Sequence, residues 1–171
     1  MGYIARATTA FLMAVTMTSV AEAEEALPDC SAETAGMQCV AERAQVGAWD
    51  LLEVVPPVGS QNSLILTSAS FETLPGIFGR ESPATLRLSC IENTTQIEVR
   101  FAENYMSDIG ALGTLVYRLD DDAPVQIAAE ASTENFALGL YSGQLAIPLL
   151  ASMIEKERLL VSATSFTGRT L

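Results

Sequence analysis

The 171-residue chain contains no histidine and a single lysine, Lys156. Without imidazole it lacks the commonest general base and the commonest metal ligand. That excludes Ser-His and Cys-His nucleophile systems and any His-based zinc site. A serine–lysine dyad would have to use Lys156, which sits in the charged run Glu155-Lys156-Glu157-Arg158. Carboxylates on both sides favour the ammonium form, the opposite of what a base needs. The sequence holds no G-x-S-x-G, and Leu140-Tyr141-Ser142-Gly143 does not supply one. P-loop and dinucleotide-binding glycine patterns are also missing. The chain therefore reads as non-enzymatic, with no catalytic residue, cofactor or metal expected.

Cations are scarce too. Nine Lys and Arg face 21 Asp and Glu, for a net charge of −12. Phosphate backbones are bound by clustered Lys and Arg, so nucleic acid is not an expected partner. Acidic lipid surfaces are disfavoured for the same reason. The charge itself bears on solubility and association rather than on fold. Repeats, linkers and low-complexity stretches are absent.

What is present begins with a leader. Arg6 supplies a positive start, Ala7 to Val20 an apolar stretch, and Ala21-Glu22-Ala23 an A-x-A cleavage site. The stretch is shorter than the roughly 20 apolar residues of a permanent membrane helix. Residues 1–23 thus read as a signal peptide and residues 24–171 as one exported, periplasmic domain with no membrane association after cleavage.

Three cysteines, Cys30, Cys39 and Cys90, enter an oxidising compartment, and one is left over. Cys30 and Cys39 are close in sequence, so closing that loop costs little entropy and a Cys30–Cys39 disulfide is expected. Cys90 then reads as a buried thiol. The competing arrangement bonds Cys90 to the N-terminal segment.

Periodicity gives the architecture. Ser31 to Val46 is helix-like, with Met37, Val40 and Ala44 at helical spacing and Gly47 as its stop. The period then changes to two. Strands are expected from Trp49 to Val55 and from Ser63 to Phe71, followed by a loop, 72–83, carrying Pro75, Gly76, Gly79 and Pro83. Ala84–Glu92 and Thr95–Phe101 alternate cleanly across a polar turn at Glu92-Asn93-Thr94 and form a hairpin. Leu86, Leu88, Cys90, Ile97, Val99 and Phe101 point inward. Thr114–Asp120 is a strand turned by Asp120-Asp121-Asp122, and Val125 to Ala131 is its return. Phe136–Tyr141 is a short strand. A helix begins near Ile147 with Pro148 in its first turn and Ile147, Leu150, Ala151 and Ile154 on its apolar face. Leu159–Phe166 is the last strand. The fold class is α+β, mainly β: an antiparallel sheet or sandwich with an N-terminal helix and a helix before the last strand.

Several of these pieces resemble the periplasmic type VI secretion-associated family called VasI or TagO. They are the leader, the paired N-terminal cysteines, the Trp-led strand, and Leu86-Arg87-Leu88-Ser89-Cys90 with its Glu92-Asn93-Thr94-Thr95 hairpin and Ile97-Glu98-Val99. Val116-Tyr117-Arg118-Leu119-Asp120 is similar to that family's tyrosine–arginine–x–aspartate strand end, and Ile147 to Leu160 to its short helix and valine-bearing strand. The chain departs from the pattern around Cys39-Val40-Ala41-Glu42-Arg43, which is less Arg- and Tyr-rich, and at Gly168-Arg169-Thr170-Leu171, where family members continue. The resemblance implies an accessory role beside a secretion apparatus, with one of its components as protein partner and no established chemistry.

Candidate interaction residues are Trp49, Ile77, Phe78, Arg118 and Asp120. Trp49 is either core or an interface anchor. Arg118 and Asp120 share a strand face, as a structural ion pair or a contact to a partner. Ile77 and Phe78, between Gly76 and Gly79, form the best candidate for a binding loop. The alternatives to an interaction protein are a small-ligand or calcium-binding module built on Asp120-Asp121-Asp122, and an exported hydrolase using paired carboxylates. The calcium reading lacks the alternating ligand spacing. The hydrolase reading lacks acids embedded in apolar strand ends. If the leader reading is correct, the intact mass of the exported protein starts at Glu24; a product that retains Arg6 or carries lipid on Cys30 would exclude it.

Overall fold

The computed structural model describes residues 39–55 and 63–171. In chain order these form β1 (Cys39–Val46), β2 (Trp49–Val55), β3 (Ser63–Pro75), β4 (Glu81–Ile91), β5 (Thr94–Arg100), β6 (Thr114–Leu119), β7 (Val125–Ala128), β8 (Glu130–Ala131), β9 (Ala137–Leu140), α1 (Gly143–Met153) and β10 (Leu159–Ala163). A seven-stranded sheet runs β1-β2-β3-β4-β5-β9-β8, and a three-stranded sheet runs β10-β6-β7. Every pairing in both sheets is antiparallel. The class is the expected one, mainly β with helix packed on sheet.

The hairpins follow from turn chemistry. Val46 pairs with Trp49 across a two-residue turn led by Gly47 at φ 61°. Ile91 pairs with Thr94 across Glu92 and Asn93, both at positive φ. Two positive-φ residues give the mirror-image turn whose twist matches that of the flanking strands. The expected hairpin is thus present with a turn one residue tighter than the sequence indicates.

One face of the large sheet meets the small sheet and α1. Cross-strand pairing aligns Leu66, Leu88, Ile97 and Leu140 in one row, and Ser68, Leu86, Val99 and Leu138 in the next. Ile97, Val99, Leu138 and Leu140 are buried there with Leu115, Ala163, Ala146, Phe101 and Met106. Leu86 and Leu88 pack against this cluster as partly buried neighbours. The inward set read from the β4–β5 alternation is therefore the core set, except that Cys90 is half-buried with a free thiol.

Four expectations are corrected. The helix expected over 31–46 is, in its described part, strand β1, because backbone pairing with β2 overrides the helix preference of its Ala, Glu, Arg and Gln. Residues 31–38 lie outside the described residues. The expected loop 72–83 is a turn only over 76–80: β3 continues to Pro75, and β4 begins at Glu81. Pro83 pairs with Thr73 in a stretch that β5 does not reach, so its missing N–H costs no neighbouring ladder. The single return strand expected over Val125–Ala131 divides at Ala129. β7 belongs to the small sheet and β8 to the large one, while the Ala129 amide donates to Gly113 O between them. Finally, α1 starts at Gly143, so Pro148 sits inside the helix rather than in its first turn. Its buried side is Ala146, with Leu149 and Leu150 against the core, whereas Ile147 and Ile154 are exposed. The apolar face is offset from the expected one because nearly every α1 residue is apolar, and periodicity then has little contrast to report.

Leu138 has 0% exposure at the centre of this cluster. Leu138→Ala should therefore destabilise the fold by about 2–5 kcal/mol, the range for deleting a buried leucine side chain. Chemical denaturation of the two proteins measures it, and a loss below about 1 kcal/mol would mean that the two sheets do not share one core.

Candidate functional site

The β3–β4 ribbon runs past the rest of the large sheet. β2 pairs with β3 only as far as Thr67, and β5 pairs with β4 only from Thr85 onward. Within the ribbon the register slips between Ala69 and Thr73. Ser70, Phe71 and Glu72 oppose Ala84 alone, and the Ala84 amide donates to Ser70 Oγ. A bulge of this kind re-aims side chains, and Phe71 is fully exposed. At the tip, the Gly76 amide donates to Arg80 O and the Gly79 amide to Gly76 O. Gly79 takes φ 76°, a backbone conformation that suits glycine. Phe78 is 85% exposed on this turn, while Ile77 is half-buried.

The ribbon is fixed at its turn end. Asn104 is 1% exposed, and its Nδ2 donates to Pro75 O at 3.1 Å and to Phe101 O at 3.0 Å. Arg169 Nη1 donates to the same Pro75 carbonyl at 3.0 Å. Gly76 has no space for a side chain: a Cβ there would lie 3.2 Å from the Glu103 Cβ and 3.0 Å from the Arg80 carbonyl oxygen. The Phe166 amide donates to Tyr105 O, which carries the C-terminal turn to the same end of the molecule. Phe166 is exposed and Tyr105 partly so. Tyr105 stacks on Phe136, ring centroids 4.7 Å apart, and the Arg100 guanidinium lies 5.1 Å over the Phe136 centroid.

Beside the ribbon base lies a groove of about 360 Å³ lined by Thr85, Arg87, Glu98, Arg100, Ser132, Thr133 and Glu134. Arg100 Nη1 is 3.5 Å from Glu134 Oε2. Glu98 accepts a hydrogen bond from Tyr141 Oη at 2.9 Å. Tyr141 lies over Gly139, where a Cβ would come within 2.7 Å of its ring. Burial, and then the Glu98 charge, hold the Tyr141 phenol well above its ordinary pKa. The apolar space between the two sheets amounts to only about 20 Å³.

The other expected site residues lie elsewhere. Trp49 is half-buried beside the β1–β2 turn, at the far side of the large sheet. Arg118 and Asp120 belong to the small sheet and its turn. Asp120 Oδ1 accepts from the Glu157 and Arg158 amides, and its salt bridge is to Lys156, not to Arg118. Lys156 also meets Asp122 at 2.8 Å and Arg158 meets Asp121 at 2.7 Å. Hydrogen bonding to Asp122 raises the Lys156 pKa. The three acids thus pin the end of β6 to the start of β10. Among the described residues, no group of three or more potential metal-ligating side chains converges.

The Cys30 half of the expected Cys30–Cys39 disulfide lies outside the described residues. Cys39 is on β1 and Cys90 on β4. Three strand spacings separate them, about 14 Å at about 4.8 Å each.

Sequence reasoning found Phe78 but missed Phe71, which it placed at the end of an ordinary strand. The mismatch that exposes Phe71 is a register property of two strands, and the only local sign was Pro83, which pairs with Thr73 at the edge of the bulge. The Arg100–Phe136–Tyr105 stack was missed as well, because its members come from three separate segments.

The comparisons found no matching family model, no matching curated protein and no matching solved structure.

The raised Tyr141 pKa has a pH consequence. Its neutral form is preferred in the folded state, so its stabilisation is complete below the free-tyrosine value of about 10 and is lost as pH rises above it. Tyr141→Phe should make stability above that pH less sensitive to alkali. Urea melts of both proteins across the alkaline range test this, and parallel profiles would exclude it.

Proposed function

We propose that this protein is a non-enzymatic, exported interaction module that docks a protein partner on the aromatic β3–β4 ribbon. The observation that carries the reading is the pair Phe71 and Phe78, both exposed, on a ribbon tied down through Pro75. Exposed phenylalanine has no stabilising role in a monomer, and the bulge and tight turn hold both rings outward. A rigid mount lowers the ordering cost of binding, and buried aromatic anchors supply much of the affinity at interfaces. Tyr105 and Phe166 enlarge the apolar surface at the same end. The domain's negative charge would then act on encounter rates and selectivity more than on affinity.

The leader and the VasI/TagO resemblance support a reading in which this module works in the periplasm beside a type VI secretion apparatus, with one of its components as the partner. The calcium-binding alternative is less well supported, because Asp120, Asp121 and Asp122 are already engaged by Lys156, Arg158 and backbone amides.

The test is in-cell photocrosslinking from position 78, with identification of the captured protein and measurement of its affinity in vitro. Phe71→Ala and Phe78→Ala should each weaken that complex by about 2 kcal/mol or more, roughly thirtyfold, with little change in melting temperature. Unchanged affinity in both variants would exclude the ribbon as the docking site. A stability loss of about 3–5 kcal/mol would assign the rings to the core instead.

A further inference from the structure

The polar groove beside the ribbon has a charge pattern of its own. Thr85 pairs with Arg100 and Arg87 pairs with Glu98 across β4 and β5, so these four side chains occupy one face as two adjacent cross-strand pairs. The two guanidinium groups lie on one diagonal of that square. Ser132, Thr133 and Glu134, from the turn between β8 and β9, supply the wall. Two cations and two anions line the groove, so its local charge sums to zero in a chain of net charge −12.

Three of the four charged groups have a positioning neighbour. Phe136 lies beneath Arg100 and Glu134 beside it. Tyr141 fixes the Glu98 carboxylate through its hydroxyl. Glu134 is 72% exposed, so its contact with Arg100 is a solvent-screened pair of small net value that an incoming carboxylate can displace. Guanidinium groups are the preferred protein partners of carboxylates. A simple anion, however, must approach a strongly negative molecule. A ligand carrying both signs meets no such net repulsion and can match both halves of the square.

We infer that this groove binds a small zwitterionic peptide, its carboxylate held by Arg87 and Arg100 and its ammonium by Glu98 and Glu134. The volume of about 360 Å³ is at the low end of small-ligand sites, the scale of a di- or tripeptide. The Thr85, Ser132 and Thr133 hydroxyls can serve the peptide amide, since each both donates and accepts. This site is distinct from Phe71 and Phe78, and its occupancy does not depend on the ribbon reading.

The experiment is an NMR titration of the ¹⁵N-labelled exported protein with L-alanyl-L-alanine, its N-acetyl form and its C-terminal amide. The dipeptide should give saturable shifts at the amides of Thr85, Arg87, Glu98, Arg100 and residues 132–134. Each capped form should bind at least about tenfold more weakly, having lost one charge-assisted contact. Glu134→Gln should weaken the dipeptide without weakening the N-acetyl form, because that form has no ammonium to lose and its carboxylate no longer competes with Glu134 for Arg100. Arg87→Gln should do the same for the dipeptide relative to the amide. Since Glu134 is exposed, its variant keeps the test valid if Arg87→Gln fails to fold. Three results would overturn the inference: no saturable shift at millimolar dipeptide, equal binding of the capped forms, or dependence on the carboxylate alone.

Discussion

The four residues of β9 are buried on both faces of the sheet, and much of the fold depends on that burial. Leu138 and Leu140 face the small sheet and α1, where they close the apolar cluster. Ala137 and Gly139 lie on the opposite face, and Tyr141 covers Gly139. A strand covered this way cannot slip by one residue, because a slip would exchange leucine for glycine in the core. β9 also receives β5 on one edge and β8 on the other. The chain has left the small sheet immediately before β8, so β9 fixes where the two sheets overlap. The core therefore lies under β4, β5 and β9, whereas β1, β2 and the ribbon extend from it.

That distribution separates stability from the exposed features. Deleting Leu138 or Phe101 attacks the shared core, since both are almost completely buried. Phe71 and Phe78 contribute little burial, and their positions are held instead by hydrogen bonds to the Pro75 carbonyl and by the lack of space at Gly76. Directional contacts of this kind position a surface at small net energetic gain. A rigid scaffold carrying function on peripheral segments is the usual division of labour in small domains.

Charge is arranged locally within the net excess of acid. The triple-aspartate turn holds Lys156 and Arg158, and this joins the helix exit to the small sheet. The groove beside the ribbon pairs two arginines with two glutamates. The two regions have different consequences. In the turn, backbone amides and both cations satisfy the carboxylates, so the turn acts as a structural clasp. In the groove, the Arg100–Glu134 contact is long and largely exposed, so those charges stay available to a ligand.

The sequence by itself determined the local periodicity and turns. Strict alternation from Ala84 to Phe101 identified the β4–β5 hairpin and its inward side chains, because a two-residue repeat leaves one choice of buried face. The positions of Gly47 and Asn93 marked turns, although Gly47 closes a hairpin where a helix end was expected. The fold class, mainly β, followed from the same signal. Tertiary structure decided what the local signal left ambiguous. β1 is a strand because β2 lies beside it, since unpaired backbone polar groups are satisfied by whichever neighbour the fold supplies. The apolar face of α1 was set by the cluster around Ala146, as an almost wholly apolar helix carries no phase of its own. Phe71 is exposed because the two strands of the ribbon differ in residue count between paired positions. The groove exists because Arg87, Glu98, Arg100 and Glu134 come from three segments that only the antiparallel pairing brings together.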